Sequence, residues 1–204
     1  MNTLSLTPKG GWSAARARCQ GFSLVTVMII LVVVSLLGVA ASQMVLLGER
    51  SARYDRDWQI AFQAAEAALL DAEFDIRGPN TSGTARLATF TSTALLGFSA
   101  GCSSGADRGL CLPAATGKPV WYTVDFTNES STANTAQFGE FTGRTLAYGT
   151  AGIQPAMRPR YIIEAVPDLA PGNNVQKLLY RVTAMGFGPR KETQAVVQMY
   201  FRKE

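Results

Sequence analysis

At 204 residues, with 19 basic and 15 acidic side chains and a net charge of +4, the chain has the length of one domain plus an N-terminal helix. Lys9, Arg16 and Arg18 all precede Gly21, the remainder is close to neutral, and no dense Lys/Arg run with interleaved aromatics follows. The surplus is therefore not a nucleic-acid footprint. The chain has no histidine, which excludes a Ser-His-Asp triad. Glu49 to Met157 carries 8 basic and 11 acidic residues and Arg158 to Glu204 carries 8 and 4. Such asymmetry steers partners, and scattered surface charge explains it as well.

In chain order, residues 1–21 form a short basic leader with no folding signal of their own. No charged residue occurs between Arg18 and Glu49. From Phe22 to Leu47 about 26 residues span ~39 Å as a helix, more than the ~30 Å hydrocarbon core of a bilayer. The leader is basic and the far flank mixed (Glu49, Arg50, Arg53, Asp55, Arg56, Asp57), so the positive-inside rule places residues 1–20 in the cytoplasm and everything after Gly48 across the membrane. The apolar run is too long for a secretory signal, although Ala40-Ala41-Ser42 offers a small-x-small site. Cys19 precedes the run, so a lipoprotein signal fails. A plain membrane anchor remains open on composition. Ser23, Thr26, Ser35, Gly38 and Ala40 to Ser42 supply the small side chains that let helices pack closely.

The junction Arg18-Cys19-Gln20-Gly21, followed at once by Phe22-Ser23-Leu24-Val25-x-Val27, resembles the class III leader of type IV prepilins and pseudopilins. The resemblance implies that a prepilin peptidase cuts after Gly21 on the cytoplasmic side and methylates the new N-terminal Phe22. The fifth mature residue in that family is usually Glu, which neutralises a neighbouring subunit's N-terminal ammonium inside an apolar filament core, where an unpaired charge is costly. Here it is Thr26, whose hydroxyl can only return to a backbone carbonyl one turn back. That makes a poor repeating unit. Family members lacking the Glu, the K-type pseudopilins and the PilX-type minor pilins, are placed at filament tips.

Residues 48–77 continue the helix. Glu49 to Arg77 has no proline and no internal glycine, and alanine is abundant. Trp58, Phe62, Ala65, Leu69, Ala72 and Ile76 share one face, and Glu49/Arg53, Arg53/Asp57 and Glu73/Arg77 are opposite charges at i,i+4. Gly78-Pro79 ends the helix. The run Ala61 to Leu69 resembles the helix of PilX-type pilins. Asp55, Glu66, Asp71 and Asp75 read as solvated helix positions.

Residues 78–204 form the head. Its stretch 80–159 is rich in Gly, Ser, Thr, Ala and Pro and reads as a variable region of loops. Cys102 and Cys111, an even pair on the oxidising side, read as a disulfide closing a short loop; a metal site would lack further Cys or His ligands. Alternation over Val120 to Phe126 predicts a strand. Gly97-Phe98-Ser99-Ala100-Gly101 matches a nucleophile elbow; without histidine only a Ser-Lys pair is conceivable, and the Ser/Gly-rich loop around it reads as a chance match. Nothing in the spacing demands a metal, although some pseudopilins bind calcium and Asp107 is a loop carboxylate. Tyr161 to Val166, Lys177 to Phe187 and Ala195 to Phe201 read as strands. Turn-rich connectors make them antiparallel neighbours in a C-terminal sheet over residues 160–201. Leu179 to Gly188 again resembles the PilX-type sheet.

The expected architecture is α+β and type IV pilin-like, a long N-terminal helix on a C-terminal antiparallel sheet. The resemblance implies a non-enzymatic minor pilin, without cofactor, that primes or caps a type IV pilus. Its implied partners are the other minor pilins, the major pilin, the prepilin peptidase, the inner-membrane assembly platform and a tip adhesin. Its implied location is the bacterial inner membrane, head in the periplasm, and then the pilus tip. A tip subunit of a type II secretion pseudopilus and a membrane-anchored periplasmic binding or enzymatic domain are the alternatives.

Overall fold

The computed structural model describes residues 22–91, 95–150, 152–167 and 178–203. The chain divides into two compact units, Met1–Arg50 and Ser51–Glu204.

Helix α1 runs from Phe22 to Arg77. In the first unit its side chains are exposed all round, among them Leu24 (66%), Ile30 (55%) and Leu37 (64%). Ser35 Oγ donates to Leu31 O at 2.7 Å and Ser42 Oγ to Gly38 O at 2.9 Å. Ser35 and Ser42 thus satisfy their hydroxyls within the helix itself. At the other end Gly78, at φ +75°, donates its N–H to Phe74 O at 2.7 Å. This left-handed cap satisfies a last-turn carbonyl in a conformation that glycine adopts without strain.

In the second unit α1 lies under a sheet built from β1 (Leu110–Cys111), β2 (Ala136–Gln137), β3 (Arg160–Pro167), β4 (Leu178–Phe187) and β5 (Gln194–Arg202). The order is β1-β3-β4-β5, and β2 also pairs with β3. The last three strands are antiparallel, with Ile163 opposite Val182 and Val182 opposite Met199, as their alternation requires. Lys177 lies outside the described residues. β1 is parallel to β3, so the whole sheet is mixed. A two-residue strand carries no sequence signal of its own.

Tyr161, Ile163, Ala165, Tyr180, Val182 and Ala184 face α1 and form one core with Ala68, Ala72 and Ile76. Phe90, Phe98 and Tyr180 close its upper part, Phe90 edge-on to Tyr180 at 5.5 Å between centroids. The opposite face of the sheet is covered where Ile162 meets Cys102, Cys111, Val120 and Phe126.

Two sequence expectations are corrected here. Val120 to Phe126 is not a strand: Val120–Thr123 is a single helical turn, α2, entered from Pro119 at φ −56°. Val124 N–H returns to Val120 O at 3.2 Å and Thr123 Oγ1 to the same oxygen at 2.8 Å. The alternation fails because only Val120 and Phe126 are buried, whereas Tyr122 is 61% exposed. The head-facing stripe of α1 is also rotated from the expected one. Its centre is Ala61, Ala64, Ala65 and Ala68, while Trp58 is 44% exposed. A Cβ on Gly186 of β4 would lie 2.1 Å from Ala61 O and 2.3 Å from Ala65 N. The backbones approach so closely that only alanine fits between them, and the large side chains are displaced to the flank.

Candidate functional site: assembly helix and clasped head

Gly21 lies outside the described residues, and Phe22 begins α1. Thr26 stands in the first turns of that helix, exposed among exposed apolar neighbours. No ionisable side chain occurs from Phe22 to Gly48, and this part of α1 is long and apolar enough to cross a membrane. Its chemistry is that of a surface needing a lipid or protein cover on every side.

Cys102 and Cys111 are joined by a disulfide, as their sequence context indicates. Ile163 N–H donates to Gly109 O at 2.7 Å, and Cys111 stands opposite Glu164. The bond therefore fastens the loop before β1 to the central strand β3. A Cβ on Gly109, at φ +78°, would lie 2.9 Å from Ala136 N, so the loop packs here by backbone.

Two carboxylates of α1 anchor the variable region, and both overturn the expectation of solvated positions. Asp75 is fully buried. It receives Arg86 Nη2 at 2.6 Å and Nε at 3.1–3.2 Å, with Tyr161 Oη at 3.1 Å. Arg86 continues to Arg108 O at 2.6 Å and lies 3.6 Å over the Phe141 ring. Burial, reinforced by the Asp75 charge, pushes the Tyr161 hydroxyl well above its ordinary range, so Tyr161 acts as a donor. Asp71, one turn earlier and also fully buried, accepts the Thr142 hydroxyl and Gly139 N–H at 2.8 Å, with Arg144 at 3.9 Å. Burial holds its carboxyl above the usual range, and the two hydrogen bonds and Arg144 offset part of that rise.

Spacing could have revealed these two. Ala64, Ala68, Asp71 and Asp75 follow one another by four, three and four, so the acids continue the alanine stripe into the core. Asp55 and Glu66 are exposed, as read. On the outer face Arg181 grips Glu164 at 2.6 and 2.9 Å from the adjacent strand. Arg160, nearly fully buried, spends its guanidinium on Thr135 Oγ1 and Thr135 O at 2.7 and 2.6 Å.

No catalytic constellation assembles around Ser99. Its hydroxyl accepts from Ser103 Oγ at 3.0 Å, and no histidine exists to serve as a base. Among the described residues no group of three or more Cys, Asp or Glu side chains is placed to hold a metal ion.

An exposed apolar half-helix, a second half carrying an alanine stripe beneath a C-terminal antiparallel sheet, and a loop region clasped by a disulfide and ionic anchors define an α+β pilin-like protein. The family comparison agrees. A model described as PilX N-terminal matches residues 20–70, and one described as Type IV pilus assembly protein PilX C-term matches residues 107–203. Between them they cover most of the chain, which belongs to the PilX family of type IV pilus assembly proteins. No curated protein and no solved structure gives a significant match.

Proposed function

We propose that this chain is a minor pilin that primes or caps the type IV pilus at its tip and acts by subunit contact, without turnover. It is inserted with residues 1–21 in the cytoplasm and cut after Gly21. It is methylated at Phe22 and held in the inner membrane by residues 22–47, with its head in the periplasm. Assembly then exchanges lipid contacts of that helix for contacts with other minor pilins and the major pilin on the inner-membrane platform, and the head meets a tip adhesin. The observation that carries the tip reading is Thr26. The helix has no carboxylate from Phe22 to Gly48, so it cannot neutralise a neighbour's N-terminal ammonium as a repeating subunit must.

The intact mass and N-terminal fragment of the protein recovered from its own membranes test the processing. The expected species begins at Phe22 with one added methyl group. A start at Met1 or within Ala40 to Ser42 contradicts the reading and returns the chain to an anchored or secreted domain. Deletion tests the pilus: surface pili and twitching should fall. Normal twitching with exoproteins trapped in the periplasm would assign the chain to a type II secretion pseudopilus instead.

A further inference from the structure

β5 ends the sheet on one side, and no described residue pairs with its far edge. Gly188 N–H donates to Thr193 O at 2.7 Å across the β4–β5 turn. Continued along the register, that bond turns the backbone groups of Ala195, Val197, Met199 and Phe201 toward β4 and those of Val196, Gln198 and Tyr200 outward. Edges are ordinarily blunted by charge, proline, a bulge or a cover. From Gln194 to Phe201 this strand has no charged residue, no proline and no glycine, and its pairing with β4 runs without interruption.

The apolar core also thins at this edge. Tyr161, Ile163, Val182 and Ala184 are fully buried, whereas Val197, Met199 and Phe201 on the same face are only partly so. Helix α1 supplies the other wall. A Cβ on Gly188 would lie 2.7 Å from Asp57 O, and Lys203 Nζ donates to Ile76 O at 2.9 Å, so β5 follows α1 from Asp57 to Ile76. Leu69 lies about 200° around the helix from Asp71, away from the loops that Asp71 binds. On that flank Trp58, 44% exposed, stacks on Phe62 at 5.4 Å, with Tyr54 58% exposed a turn below.

We propose that this edge takes an extended strand from a neighbouring subunit of the pilus tip, with alternating apolar and polar residues. The inference rests on the tip reading above. Outward backbone groups at every second residue select an extended partner over a helix. Its apolar side chains cover Val197, Met199, Phe201 and Leu69. Tyr54 and Trp58 place the groove's lower end on α1 itself, the helix that the proposed function assigns to assembly.

The test is amide hydrogen exchange on the full chain, purified in detergent and again within the tip assembly it co-purifies with. The amides of Val196, Gln198 and Tyr200 should exchange freely in the purified chain and at least about a hundredfold more slowly in the assembly. Val196→Pro removes an outward donor and spares the bonds to β4, so it should keep the wild-type circular dichroism and disulfide yet drop out of the assembly. Val196→Lys, which charges the edge, carries the same expectation should the proline variant unfold. Wild-type protein that co-purifies while those amides stay fast, or folded variants that co-purify in wild-type amount, overturns the proposal. Protection already present in the purified chain and lost on dilution assigns the edge to a second copy and also overturns it. Wild-type protein that joins no pilus subunit refutes the tip reading and the proposal with it.

Discussion

Adding one methyl group at Gly186 tests the contact on which the head is built. Its Cβ would lie 2.1 Å from Ala61 O, 2.3 Å from Ala65 N and 2.9 Å from Ala64 C. These are backbone atoms of α1, so no side chain can swing away. The helix has to retreat by about 1 Å, and a gap of that size forfeits roughly a quarter to a half of each dispersion contact along the stripe. The φ of Gly186 is not positive, so the effect is steric and carries no backbone strain. Gly186→Ala is therefore expected at the upper end of the overpacking range, about 3 kcal/mol. For a unit of this size that lowers Tm by roughly 6–12 °C. The assay is thermal unfolding of the full chain in detergent, followed by near-UV circular dichroism. Gly38→Ala is the control: a Cβ there meets nothing within 4 Å, and the helix gains up to about 1 kcal/mol of propensity. A Gly186→Ala protein within about 0.5 kcal/mol of wild type would refute the close-approach argument.

Further expectations concern the anchors of the variable region. Arg86→Met strands the buried Asp75 carboxylate and should cost about 3–5 kcal/mol; adding Asp75→Asn should recover part of that loss, and a denaturant double-mutant cycle measures the coupling. Asp71 has a folded pKa raised above its unfolded value of 3.8, so it binds its proton more tightly when folded. Its contribution to stability is complete below the unfolded pKa and is lost as pH rises through the folded one. Urea unfolding should thus show wild type losing stability relative to Asp71→Asn as pH rises above the unfolded value of 3.8, and parallel curves would contradict the assignment. Replacing both Cys102 and Cys111 by serine should cost roughly 2–3 kcal/mol and speed exchange of the two β1 amides, at positions 110 and 111, with β3 to β5 still protected.

Much of the fold is legible in local pattern. Period-two alternation with turn residues between marks β3, β4 and β5, and an uninterrupted Ala-rich run ended by Gly78-Pro79 marks α1. These signals are local because the backbone geometry that creates them repeats every few residues. The loop region resists such reading. α2 imitates a strand over Val120 to Phe126, since four alternating apolar residues do not say which of them will find a covered surface. β1 and β2 exist only because β3 offers them a ladder.

The sequence by itself determined that no Ser-His-Asp triad can form in a chain without histidine, the length and uncharged character of its apolar helix, the leader-like junction at Gly21–Phe22, and the pair of cysteines free to join. Each is a property of neighbours along the chain. Only the tertiary structure decided that Asp71 and Asp75 are interior anchors, that alanine and not Trp58 meets the sheet, and that β5 ends the sheet with no described residue paired to its far edge. Those outcomes depend on how closely Gly186 lets two backbones approach and on which groups 11 to 86 residues away arrive to satisfy a buried charge. Local pattern cannot carry that information, because the free energy of a buried carboxylate is set by partners that only folding brings into reach.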